Sequence, residues 1–162
     1  MRSVFRIIAI SGLLISFLSE SDSQIKVILE DDIDFNVVKW HYIEYPNAHA
    51  TWEEISINAG AKLYRAEFEF EGHPRRVIYN SQGIRMQEEA NLTKNVPVSL
   101  LSYLDDIYLK YRILSFTRIT DFRLEEKVTF KVEVKSKSNG VEILEFDKNL
   151  IPLDSVFVSG SN

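Results

Sequence analysis

The chain has 162 residues, with 24 acidic against 19 basic side chains and a net charge of −5. That balance excludes nucleic acid and anionic lipid as electrostatic partners, because both require a basic face. There is no cysteine, which excludes thiol catalysis, disulfides and Cys-ligated metals. The folded part therefore stands on its apolar core alone.

Residues 1–23 read as a cleaved signal peptide. Arg2 and Arg6 supply the positive start, residues 7–18 are apolar, and Ser19, Ser21 and Ser23 are small residues at the exit. The apolar run is too short for a permanent membrane span. Cleavage is expected after Ser21 or Ser23, with Gln24 opening the mature chain, which would be periplasmic or secreted and free of the membrane. Residues 24–29 suit a short strand or an ordered lead-in, and Asp32 or Asp34 is placed to cap the helix that follows.

Residues 33–45 have a helical rhythm, with Phe35, Val38, Tyr42 and Tyr45 on one stripe and Ile33, Val37 and Trp40 on the next. Pro46-Asn47 ends it. Strands are expected at 49–57, 62–71, 74–80 and 83–90. In the second, Tyr64, Ala66, Phe68 and Phe70 face one way while Arg65, Glu67, Glu69 and Glu71 face the other, as in a sheet with one dry and one wet face. Residues 93–96 form a linker, and Pro97 opens a second helix whose apolar face is Leu100, Leu101, Leu104, Ile107 and Tyr108. Strands then follow at 113–122, 127–136, 140–147 and 150–158, with Asn139-Gly140 as a hairpin signal.

The pattern of residues 64–84 recurs at 128–151: an alternating strand, a turn, a strand ending in an aromatic (Tyr79, Phe146), an Asx turn (Asn80, Asp147) and a third strand. The expected architecture is α+β, a tandem repeat of helix plus four-stranded antiparallel sheet spanning 24–92 and 93–162, with the two halves sharing a core or a continuous sheet.

Chemistry is sparse. His41, His49 and His73 lack metal-ligand spacing. His41 is expected at a core edge, His49 at a strand start and His73 in a hairpin tip. The carboxylate pairs, Glu53-Glu54, Glu88-Glu89 and Asp105-Asp106 among them, point apart and read as solvated. Glu67, Glu69 and Glu71 share a face that suits a basic partner. His73-Pro74-Arg75-Arg76 is the one compact basic spot. Asn91-Leu92-Thr93 is a sequon that matters only in a eukaryotic host, and Asp154-Ser155-Val156 has the form of a short O-glycosylation motif. No cofactor, no metal and no enzymatic site is expected.

The order of Tyr45-Pro46-Asn47-Ala48, Trp52 and Tyr79-Asn80-Ser81-Gln82-Gly83, then of Val96-Pro97, Leu100, Tyr103-Leu104, Tyr108, Tyr111, Ile113, residues 130–134 and Phe146-Asp147, resembles the PepSY-like, β-lactamase-inhibitor-like proteins exported by Bacteroidetes. Leu109 stands where that family usually has Pro, and His41 where an apolar residue is common. The resemblance implies a small periplasmic protein of tandem helix-and-sheet repeats, and it carries over no established catalytic residues. The function expected is a non-catalytic binding module that holds an envelope or secreted protein on the exposed sheet face. Trp52, Tyr64, Glu67, Glu69 and Glu71 are the candidate contacts, with Arg75 and Arg76 as the basic spot. The alternative is a small-ligand or ion sensor with a pocket between helix and sheet.

Overall fold

Eight strands run in sequence order across one antiparallel sheet, in a computed structural model that describes residues 24–57, 60–123 and 125–153. They are β1 (Gln24–Ile28), β2 (Thr51–Ile57), β3 (Ala61–Phe70), β4 (His73–Asn80), β5 (Arg85–Asn91), β6 (Tyr111–Asp121), β7 (Lys127–Ser136) and β8 (Gly140–Asp147). Helix α1 (Phe35–Glu44) connects β1 to β2, and α2 (Val98–Ile107) connects β5 to β6. The lead-in at 24–29 is thus an edge strand, pairing with β2 from Gln24↔Ser56 to Ile28↔Trp52.

Both helices cover the same face. Pairing aligns Ala66 with Val77, Val77 with Glu88, Glu88 with Thr120, and Thr120 with Val128. Because side chains alternate along a strand, this line places the buried residues of β2–β4 and of β6–β8 on one side. Under α1 lie Trp52, Tyr64, Ala66, Phe68, Val77 and Tyr79. Under α2 lie Phe116, Val132, Val134 and Phe146. The sheet is therefore continuous through β5 and β6 while the apolar cores are two. Each fully buried Leu or Val contributes about 1.5–3 kcal/mol.

Period two predicts the faces of β3 and β7 correctly, whereas the face of α1 differs from either expected stripe. Ile33, Val37, His41 and Tyr45 are buried, while Phe35 is 76% and Trp40 44% exposed. This helix is apolar nearly all round, so docking onto the sheet selects the side. His41 lies at the centre of the first core, not at its edge. Asp34 precedes α1 but makes no side-chain cap; its carboxylate accepts the Tyr64 hydroxyl at 3.0 Å instead.

Asn80 and Asp147 build the expected Asx turns. Asn80 Oδ1 accepts the amides of Gln82 and Ile84, and Asp147 Oδ1 those of Asn149 and Ile151. The first turn takes Gly83 and Ile84, so β5 begins at Arg85. After the second turn Pro152 bridges to Phe146. The rest of the strand expected at 150–158, the Asp154 motif and the signal segment lie outside the described residues.

Candidate functional site

The face without helices carries a row of charges set by strand register. Glu53 pairs with Arg65, Glu67 with Arg76, and Arg76 with Glu89. Directly opposed positions on one face bring side chains into contact, and here every opposition is of opposite sign. Arg65 bonds Glu53 and lies 4.0 Å from Glu67. The Arg76 Nε donates to Glu67 at 2.8 Å and its Nη1 to Glu89 at 3.2 Å. Each arginine thus stands between two carboxylates, and the ladder crosses four strands. Arg65 is buried, as are Ile55 and Ile78 on the same side.

Beyond β6 the row continues at Lys131, opposite Thr117 and Glu145. Burial lowers the Lys131 pKa, while Glu145, Glu89 and Glu133 oppose that shift. Aliphatic side chains frame the row at the sheet's two edges: Ile25 and Val27 on β1, and Val141 and Ile143 on β8, all exposed. No strand residue on this face is aromatic among the described residues. The strand aromatics all turn toward the helices.

That placement corrects several expectations. Trp52 and Tyr64, each 2% exposed, are core residues under α1 and present no ring to a partner on the open face. Glu67 and Glu69 do face outward, but Glu71 is a turn residue with φ 53° beside Gly72, outside β3. The acidic row is largely neutralised, because β4 supplies Arg76. The basic spot at 73–76 is not a hairpin tip: it lies within β4, and alternation sends Arg76 to the open face and Arg75 to the helix side.

Arg75 leads to a feature the sequence reading missed. Glu88, read there as half of a solvated pair, is 4% exposed. Its Oε1 takes Arg75 at 2.5 Å and has Arg118 at 3.6 Å. Its Oε2 accepts the Tyr45 hydroxyl at 2.8 Å and Arg85 at 3.2 Å. Burial, then the charge and hydrogen bond of Glu88, push the Tyr45 hydroxyl up to about 12. The available signal was alternation: Glu88 is two residues from Ala90 and shares its side, while Glu89 goes to the other. A buried carboxylate joined to three guanidiniums couples β4, β5 and β6 between the two cores.

His49 is exposed, with its Nδ1 3.3 Å from the Tyr42 hydroxyl. His73 opens β4 beside Asn91 and Asn95. Among the described residues no group of His, Cys, Asp or Glu is placed to hold a metal ion, and no helix is long and apolar enough to cross a membrane.

The chain matches no protein-family profile and no curated protein. Solved structures do resemble it. One is a BLIP-like protein from Bacteroides fragilis, with TM-score 0.62 and 17% identity over 80% of this chain and 89% of that one. A protein provisionally named periplasmic, from Bacteroides eggerthii, gives TM-score 0.58 and 14% identity over 75% and 86%. A DUF2874 family protein from Bacteroides ovatus gives TM-score 0.57 and 18% identity over 79% and 94%. The fold is therefore that of BLIP-like and DUF2874 proteins of Bacteroides, in line with the resemblance read from the residues.

Proposed function

We propose that this chain, which has the BLIP-like fold, is a non-catalytic exported binding module that holds an envelope or secreted protein against the open sheet face. In this reading residues 1–23 are the cleaved signal, and 24–92 and 93–162 are tandem repeats that share one sheet, the first of α1 and β2–β5 with β1 added at its edge and the second of α2 and β6–β8. The mature protein is periplasmic or secreted and needs no cofactor. The observation that supports it is the open face itself: a pre-paired charge ladder framed by exposed aliphatic edges. Paired charges specify register and orientation more than they add affinity, while Val27 and Val141 offer apolar area at the margins. The inhibitor-like name of the Bacteroides fragilis neighbour agrees with a face that binds protein. Against a pocket between helix and sheet stands the filling of that space: His41, with both ring nitrogens bonded, lies among aromatic rings.

The test is site-specific photocrosslinking in envelope extract. A crosslinker at Glu69, exposed on the open face, is expected to give one recurrent protein adduct, and one at Lys39, exposed on α1, none. Adducts from Lys39 equal to those from Glu69, or none from either, would remove the proposal. Charge reversal of the ladder (Arg76→Glu) is expected to reduce the Glu69 adduct.

A further inference from the structure

His41 and Leu104 occupy the same place in their helices. The amide of Tyr45 bonds the carbonyl of His41, and the amide of Tyr108 bonds that of Leu104. Each is fully buried and closes its own core. One core is thus sealed by an aliphatic side chain and the other by a ring that can take up a proton.

The surroundings of that ring suit only its neutral form. Nε2 lies 2.8 Å from the carbonyl oxygen of Ala48, which can only accept, so Nε2 carries the hydrogen. Nδ1 is then bare and accepts from the Tyr79 hydroxyl at 3.1 Å. A second proton would set an N–H against a hydroxyl that is already donating. Tyr79 would have to turn its hydrogen into a fully buried space.

Among the described residues the neighbours offer no counter-ion in contact. From α1 and its end come Tyr42 and Tyr45, from β2 Trp52, from β3 Phe68 and from β4 Tyr79, with ring centroids 4.7–6.0 Å away. Glu30 acts only through space, its carboxylate being engaged by Tyr42 and Trp52. Glu88 and Arg85 stand one step further, beyond the Tyr45 hydroxyl. Burial lowers the ring's pKa, and the Ala48 hydrogen bond and Glu30 return only part of the shift.

We infer that His41 makes α1 an acid-releasable cover: protonation of the buried ring loosens α1 from the sheet and uncovers Trp52, Tyr64, Phe68 and Tyr79, while α2 stays seated on Leu104. This concerns the helix side and stands independently of the binding role given to the open face. The released form takes up a proton at the ordinary value of 6.5 and the seated form only at lower pH. Opening is therefore favoured as pH falls below 6.5, by up to about tenfold per unit until the seated ring also titrates.

The test is amide exchange read peptide by peptide on the full chain at pH 7 and pH 5, corrected for the intrinsic rate. Opening of Phe35–Glu44 is expected to rise severalfold, with a ceiling of about 25-fold, with Val98–Ile107 unchanged, and His41→Leu is expected to abolish the rise. Equal loss of protection in both helices, or an undiminished rise in His41→Leu, overturns the inference. Should that variant not fold, NMR of the wild-type imidazoles decides. Between pH 7 and pH 5 any gain of the His41 proton is expected to accompany loss of α1 protection. A ring that titrates within that range with α1 protection unchanged overturns it equally.

Discussion

Asn80 and Asp147 build one and the same turn in separate halves of the chain. Each side-chain oxygen accepts two backbone amides, at 3.0 and 3.0 Å for Asn80 and at 2.8 and 2.9 Å for Asp147. In both, the backbone N–H of the Asx residue returns to the carbonyl four residues on, Ile84 or Ile151. Asn80→Ala and Asp147→Ala are each expected to cost about 1–2 kcal/mol, and Asp147→Asn, which keeps Oδ1, far less. Urea midpoints of the three variants measure this. Equal loss in Asp147→Asn and Asp147→Ala would show that charge, not the turn, matters.

Gly83 and Gly72 separate backbone conformation from space. Both have positive φ, 81° and 75°, but a methyl on Gly83 would stand 2.6 Å from the Asn36 carbonyl oxygen and from Trp40 Cδ1, whereas Gly72 faces open space. Gly72→Ala carries only the conformational cost, about 1–2 kcal/mol. Gly83→Ala is expected to cost more than about 3 kcal/mol because the Asn36 backbone cannot yield. Thermal unfolding of the pair gives the comparison.

Glu88 supports three arginines and a hydroxyl. Glu88→Gln keeps the shape but removes the charge shared by three part-buried guanidiniums, of which Arg75 keeps Glu71 and Arg85 keeps Glu44, and is expected to cost roughly 1.5–3 kcal/mol. Tyr45→Phe removes one hydrogen bond to that carboxylate, about 1.5–3 kcal/mol. A double-mutant cycle by denaturant unfolding should return a coupling energy between them, and strict additivity would contradict the contact.

The chain has two tryptophans in opposite environments, Trp40 44% and Trp52 2% exposed. In single-tryptophan variants, acrylamide is expected to quench Trp40 readily and Trp52 hardly at all at pH 7. Trp52→Ala is expected to cost about 3–5 kcal/mol as a core truncation.

Alkali should also find the first core. Burial, then the neighbouring carboxylates Glu88 and Asp34, push Tyr45 and Tyr64 up to about 12, so their hydroxyls favour the folded chain in the protonated form. That stability is complete below the unfolded value of 10 and is lost as pH rises from 10 toward 12. Burial holds the Tyr79 and Tyr108 hydroxyls up as well, so phenolate absorbance is expected to show four late-titrating tyrosines, of which one is lost in Tyr45→Phe and another in Tyr64→Phe.

Alternation at 64–70 and 128–135 was enough to assign the dry and wet sides of β3 and β7, because a pleat of period two is a local property of the backbone. The Asx turns were legible for the same reason. Alternation also required Glu88 and Glu89 to part, but which of them went inward awaited the pairing of β4 with β5. That Glu67 meets Arg76, and that Arg75 and Arg76 part company, likewise depended on register between strands. α1 offered apolar residues on every side, from Phe35 to Ile43, so its buried edge through His41 was chosen by docking onto the sheet. Local periodicity sets what each segment can present, and only the non-local pairings decide which neighbour receives it.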